Sequence, residues 1–459
     1  MGMAINVNKY FSPFKETSIA PLIIFRIIFG ALMLFGTLRF ISKGWIEQLY
    51  VNPKYYFGYL GFEWIKPLEG DLIYIPFILL VISSFFILIG LFYRASAGTF
   101  FLCFSYVELL DKSNYLNHYY FVSLMALIMV CVPAHRNFSI DVKIWPKIKA
   151  ITTKQWTINL IKFQLAIVYI FAGIAKLNSD WLFNAQPLKL WLQAHHNIPL
   201  VGWLMQEEWL AYVFSWTGCL YDLFIVFFLL SNRTRPFAYF FVILFHLATW
   251  YLFPIGVFPW VMIFSTLIFF SVQFHESILD RISGKKWRIS SNSKSLTKGL
   301  NKRLTIYLLI IYVAIQLLVP FRYILYPGDL FWNEEGFRFS WRVMLMHKEG
   351  HATFYMVDPK TGRESEINNG NFLTKTQEDQ MATQPDMILQ YAQILKKFYH
   401  GKKLHYGNHK FLIENPEIRA RIYVSLNGRP SKLFVTKEHD LAKLPYNLYH
   451  RKWIEPFNR

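Results

Sequence analysis

Residues 72–93 read LIYIPFILLVISSFFILIGLFY, a run without one charged side chain. Wound as an α-helix it is about 33 Å long, enough to cross the hydrocarbon core of a bilayer. Working outward, further apolar runs lie at 19–41, 95–110, 119–133, 156–176, 209–231, 237–252, 255–272 and 304–320. Read as spans, these nine segments make a polytopic α-helical membrane domain over residues 1–320. The runs 95–110, 119–133, 237–252 and 255–272 are short for a crossing, so tilted, broken or re-entrant pieces are expected among them. Composition agrees: 17% of residues are charged, against about 25% in soluble domains. A net charge of +19 on a soluble chain would suggest nucleic acid. Here the basic residues gather in loops, as they do in membrane proteins, and no nucleic-acid partner is expected. Cys103, Cys131 and Cys219 all lie in apolar runs and supply neither a disulfide framework nor zinc spacing. The N-terminus lacks a small-residue cleavage pattern, so the first span reads as retained.

Loop charge sets the orientation. With the N-terminus inside, Lys9, Lys15, Arg94, Arg136, Lys143, Lys147, Lys149, Lys154, Arg233, Arg235 and the basic loop 273–303 all fall on the inner side. Only Lys43, Lys54, Lys66, Lys112 and Lys189 fall outside before residue 304. The positive-inside rule therefore predicts a multi-pass protein with a cytoplasmic N-terminus and an extracytoplasmic C-terminal domain. The membrane would be a bacterial inner membrane, or an internal membrane with that domain on its lumenal side. Anionic lipid is a plausible contact for the basic loop.

From Phe321 the pattern changes to a soluble α+β domain over 321–459. Residues 337–347 and 353–357 read as strands, with a turn at Asp358-Pro359-Lys360-Thr361-Gly362. Residues 385–400 read as a helix with Thr383 as N-cap, and 421–426 with 433–436 as a hairpin.

Ionisable groups inside apolar runs are costly and each needs an account. Arg26 in the first run and Asp222 in the sixth read as a structural ion pair between helices. Lys176 ends the run Ala172-Gly173-Ile174-Ala175. It either snorkels to the interface or sits desolvated, where water's absence disfavours the ammonium ion and leaves an amine able to act as a general base. His118, His135 and His246 lie in or beside spans, and each reads equally as a hydrogen-bonded packing residue. No pair has metal-ligand spacing, so no metal is expected. Gly-rich nucleotide loops and nucleophile elbows are missing from the sequence.

Taken together, these pieces resemble the vitamin K-dependent γ-glutamyl carboxylases, including bacterial relatives grouped by a horizontally transferred transmembrane (HTTM) domain. The similar stretches, in order, are Phe25-Arg26-Ile27, Asp111-Lys112-Ser113 with Asn117-His118, Ala134-His135 with Ser139-Ile140-Asp141, Phe171-Ala172-Gly173-Ile174-Ala175-Lys176-Leu177 with Asp180-Trp181, Phe245-His246, and Ile255-Gly256. Phe339-Ser340-Trp341 with Met344, Asp386-Met387 with Gln390-Tyr391-Ala392, and Val424-Ser425-Leu426-Asn427 follow in the soluble part.

The resemblance implies a reaction in which vitamin K hydroquinone (menaquinol or phylloquinol) and O₂ generate a strong base. That base removes a γ-proton from a glutamate in a peptide or protein, CO₂ adds to the carbanion, and the quinone leaves as the epoxide. By the same resemblance, Lys176 deprotonates the hydroquinone and His135 serves the oxygenation step. His246 and His118 bind the quinol oxygens, and Trp341 and Met344 line the pocket. Membrane lipid and quinone would be the remaining partners. Loop charges place His135 at the inner end of its span and Lys176 at an outer end, so the two catalytic roles sit uneasily together. The soluble part lacks the cysteine that animal members carry. Rival readings are a quinol epoxidase without peptide carboxylation, a non-catalytic quinone- or partner-binding membrane protein, and a transporter, the last disfavoured by the lack of an inverted repeat.

Overall fold

The computed structural model describes residues 13–284, 286–287, 301–406 and 409–457. Lys9 and much of the basic loop, including Lys285, Arg288, Lys294 and Lys298, lie outside these residues. In chain order the membrane part comprises α1 (Ala20–Ser42), α2 (Tyr74–Ile89), α3 (Tyr93–Leu110), α4 (Asn117–Cys131), α5 (Ile140–Ile144), α6 (Gln155–Ala175), α7 (Ser179–Leu182) and α8 (Leu188–Gln193). It continues with α9 (Glu208–Leu230), α10 (Arg235–Leu252), α11 (Phe258–Ser265), α12 (Val272–Ser283) and α13 (Lys302–Leu318).

All nine apolar runs are helical, but length and composition support fewer crossings than the nine expected. Among the described residues, five helices are long and apolar enough to cross a membrane: Ala20–Ser42, Gly70–Ile89, Gln155–Ala175, Glu208–Leu230 and Lys302–Leu325. A sixth results if α11 and α12, bent by 109°, count as one broken span. The shortfall has local causes. The α4 helix has 15 residues and reaches only about 22 Å. The run at 255–272 stops at Phe270, and the Ser271 side chain caps a new helix by accepting from the Phe274 amide at 3.2 Å.

Glycine allows close helix contact at two places. A Cβ on Gly30 of α1 would lie 2.5 Å from the Leu88 nitrogen, and one on Gly173 of α6 would lie 2.8 Å from the Leu223 nitrogen of α9. Small residues at such crossings let backbones approach in lipid, where the hydrophobic effect does not hold helices together. Outward faces carry exposed Phe227, Phe228, Phe240, Phe241, Ile311 and Leu318, a surface suited to acyl chains. Strand β1 (Glu16–Ser18) pairs antiparallel with β2 (Thr152–Lys154) and ties the start of α1 to the start of α6.

The C-terminal part contains α14 (Leu330–Asn333), β3 (Lys348–Val357), β4 (Glu364–Ile367), α15 (Lys375–Met381), α16 (Pro385–Tyr399), β5 (Lys402–Tyr406), β6 (His409–Ile413), β7 (Glu417–Leu426) and β8 (Lys432–Val435). Its main sheet is antiparallel in the order β4-β3-β7-β8. The α16 helix buries Met387, Ile388, Tyr391, Ala392 and Leu395, with Tyr391 meeting Phe354 of β3 edge-on at 4.8 Å.

The expected helix and hairpin are present. The N-cap is Gln384 rather than Thr383, with Pro385 in the first turn, where its missing N–H costs nothing. The predicted strand over 337–347 does not form. Phe339, Trp341 and Met344 there have φ of 58°, 59° and 52°, a left-handed conformation that side-chain-bearing residues adopt only under constraint. The constraint is the membrane part: the Phe339 amide donates to the Tyr115 hydroxyl at 2.7 Å, and Asn117 Nδ2 donates to the Arg342 carbonyl at 2.8 Å.

Other contacts dock the two parts. Asp180, after α6, accepts a two-pronged pair from Arg429 (2.9 and 2.5 Å) and a bond from Asn427 (2.9 Å). Asp111 accepts from Gln377 at 2.7 Å, and Lys112 pairs with Asp386 at 2.8 Å. The sheet domain therefore sits at the end of the bundle where α6 stops and α4 begins.

Candidate active site

Lys176 caps the C-terminus of α6 and is buried, with 6% of its surface exposed. Its Nζ does not snorkel. It lies 2.7 Å from Asp222 Oδ2 of α9, 3.3 Å from the Ala172 carbonyl and 5.3 Å from the Trp181 ring centre. The Gly173 contact brings α6 and α9 close enough for this pair, and Trp181 is held by its Nε1 donating to the Ser215 carbonyl at 2.8 Å. Two expectations change here. The lysine is not an isolated amine but half of a buried amine–carboxylate pair. Asp222 is not the partner of Arg26, because it is already engaged by Lys176. Arg26 instead donates to the Phe138 carbonyl at 2.6 Å.

The pair borders a cavity of about 100 Å³ walled by Val168, Tyr169, Ala172, Phe245, His246, Phe253, Phe258 and Met262, and closed by Val343 and Met344 from the soluble side. Within it, His246 Nε2 and the Tyr169 hydroxyl are 3.0 Å apart, so one ring nitrogen is anchored and the imidazole orientation fixed. A second cavity of about 330 Å³ adjoins the first and contains His118. Ile255, Phe258, Val343 and Met344 border both. The Phe258 ring centre lies 5.4 Å from that of His118 and 6.2 Å from that of His246. The structure thus brings Lys176, His246, His118 and Met344 together around one partition.

Two predicted residues stay out. Trp341 is 1% exposed, stacks on Tyr120 at 4.8 Å and belongs to the packing behind the cavities rather than to their walls. His135 sits at the other end of the bundle. Its neighbour Arg136 accepts at its carbonyl from the Ala150 amide at 2.8 Å, and Ile151 does so from Ile19 at 3.0 Å, beside the start of α6. With 21 residues, α6 puts about 30 Å between that end and Lys176. His135 stacks on Tyr93 at 4.9 Å. Asp141 nearby accepts from the Phe92 and Tyr93 amides at 2.7 and 3.0 Å, an N-terminal cap for α3. The motif residues Arg26, His135, Ser139 and Asp141 therefore form a structural knot remote from the cavity. The Asp111 and Lys112 motif is likewise a docking point and lines neither of these two cavities.

Reading the sequence missed Tyr169 as the anchor of His246, Asp222 as the partner of Lys176, and Arg342 at the domain junction. Asp222 carried a signal, being one of the few acids within the apolar runs.

With this geometry in place, family comparison is decisive. The model described as HTTM domain matches residues 14–274, more than half of the chain. The one described as vitamin K-dependent gamma-carboxylase, lumenal domain, matches residues 301–459. The chain belongs to the vitamin K-dependent γ-carboxylase family. Its lumenal-domain match starts before α13, so that family's second module takes in the last apolar helix as well as the sheet domain. No solved structure matches the chain. Both halves of the family's architecture are present in one chain, and Lys176 lies where they meet.

Proposed function

We propose that this chain is a vitamin K hydroquinone-dependent γ-glutamyl carboxylase with coupled epoxidation, and that Lys176 takes the proton that starts the reaction. The observation that carries the reading is the buried Lys176–Asp222 pair on the wall of an apolar cavity at the junction of the two family modules. Hydroquinone, O₂ and CO₂ are the co-substrates, and a glutamate-containing peptide or protein is the acceptor. When bound, hydroquinone and O₂ supply the base strong enough to remove a glutamate γ-proton.

The chain's own residues serve that chemistry in four ways. Lys176 accepts a phenolic proton. Asp222, 2.7 Å away, offers the proton a second seat and orients the amine. His246, steadied by Tyr169, hydrogen-bonds a quinol oxygen, and His118 faces the neighbouring cavity, whose mostly apolar walls, with Arg39 and Glu108 among them, have room for the quinol's hydrocarbon part. The apolar lining and the Val343–Met344 closure exclude water, which would otherwise quench a carbanion. His135 has no part in this scheme.

We further assign the N-terminus to the cytoplasm and the sheet domain to the extracytoplasmic side. Loop charge supports this, as does the location of the β1–β2 pair at the end of α6 remote from the sheet domain. The test is to give the purified protein hydroquinone, O₂, labelled CO₂ and a Glu-containing peptide, and to follow epoxide and peptide-bound label separately. Both are expected. Epoxide without label would reduce the reading to a quinol epoxidase, and neither product would overturn it.

A further inference from the structure

Arg342 is a buried cation with no carboxylate counter-charge among the described residues. Its residue is 8% exposed and its Nε has no hydrogen-bond partner. The guanidinium carbon lies 4.3 Å over the Tyr323 ring. Among the described residues, no carboxylate comes within 4.0 Å of its nitrogens. The acids that share its surroundings are engaged by other groups. Glu334 pairs with Lys348 at 2.9 Å, Glu335 accepts from His450 and from the Arg451 amide at 2.8 Å each, Asp329 accepts from the Phe331 and Trp332 amides at 2.9 and 3.3 Å, Glu349 pairs with His347 at 3.0 Å, and Asp379 pairs with Lys375 at 2.8 Å. A buried guanidinium normally has an anionic partner, so here the partner is to be sought outside the chain.

The position of Arg342 says what that partner touches. It borders two clefts, of about 480 and 710 Å³. The first is bounded by Ala175, Leu177 and Asn178, the residues flanking Lys176. The second contains Met344, which also closes the Lys176 cavity. The bond from Asn117 to the Arg342 carbonyl and the left-handed residues on either side hold this stretch of backbone in place. Lys176 itself is occupied by Asp222, so it is not the group that greets an arriving acid.

We propose that Arg342 holds the γ-carboxylate of the acidic substrate at the rim of the Lys176 cavity and thereby selects glutamate over glutamine. The substrate class rests on the carboxylase reading given above. A planar fork of donors matches a carboxylate with two parallel bonds. A glutamine amide offers one acceptor oxygen, carries no charge and would leave the guanidinium unpaired.

The test is equilibrium binding of a fluorescent Glu peptide and its Gln twin to the full-length protein in lipid nanodiscs, without quinol. The wild type is expected to prefer the Glu peptide. Arg342→Gln is expected to weaken the Glu peptide by about 10- to 100-fold, and Arg342→Lys to retain part of the preference. Equal affinity of the wild type for the two peptides overturns the proposal, and needs no variant to fold. An undiminished Glu-peptide affinity in Arg342→Gln overturns it too. Because no turnover is measured, a wild type that makes neither epoxide nor labelled peptide refutes the catalytic reading separately, through the assay of the preceding section.

Discussion

Lys176 and Asp222 are 46 positions apart, yet the lysine Nζ and a carboxyl oxygen of the aspartate meet at 2.7 Å on the wall of an apolar cavity. Removing one member of a buried pair strands the other. Asp222→Asn keeps the shape and a hydrogen bond but removes the proton's second seat. It is expected to lower the initial rate of epoxide formation by about 100-fold or more, read with saturating hydroquinone. An unchanged rate would make Asp222 a packing residue. The sequence singled out Lys176 because a lysine ends a long apolar run, but position alone left snorkelling open, and its catalytic role came from the family resemblance. Its partner was not legible. A charge inside a span announces a cost without saying which helix offsets it, and Arg26 was the obvious but wrong choice. His135 is the reverse case. Loop charge put it and Lys176 at opposite span ends, the structure has them at opposite ends of α6, and only the family resemblance had joined them.

At the scale of elements, the site depends on how closely α6 and α9 approach. A methyl on Gly173 would lie 2.8 Å from the Leu223 backbone nitrogen and 2.7 Å from its Cγ, and backbone cannot step aside as a side-chain tip can. Gly173→Ala is expected to cost about 1–3 kcal/mol of stability, seen as a lower melting temperature in detergent, and to slow epoxidation by separating Lys176 from Asp222. A melting temperature equal to the wild type's would mean that the helices can part without cost. Helix positions were legible because apolar runs of this length have little alternative in lipid. Span count was less so, since the polar bend at Phe270-Ser271 and the short α4 only declare themselves once neighbours are packed. The stretch 337–347 reads as a strand from its apolar content. It folds otherwise because its side chains divide between the membrane part and the sheet domain rather than alternating across one sheet.

For the whole molecule, the two modules are joined by charges. Asp386 opens α16 and accepts from Lys112 at 2.8 Å and Arg338 at 2.7 Å. Burial alone would raise its carboxyl, but Arg338, Lys112 and Arg451 together outweigh that and hold it well below the usual carboxylate range. A carboxyl depressed by folding stabilises the folded state above its unfolded value of about 3.9. That stability is lost as pH falls through the lower folded value. The melting temperature should therefore be insensitive to this group between about pH 5 and 8 and should fall in stronger acid. Asp386→Asn should cost about 3–5 kcal/mol at neutral pH, by stranding two cations, and should flatten the acid limb. A neutral-pH melting curve like the wild type's would show that the modules dock without this cluster. Such contacts between modules were beyond reading, because Asp386 and Lys112 belong to separate motifs with nothing in either to name the other. The account as a whole stands on one amine. Wild-type protein given hydroquinone and O₂ should form epoxide, and Lys176→Ala, assayed at a temperature where its own melting curve shows it folded, should form none above background. Epoxide from Lys176→Ala at the wild-type rate would contradict it.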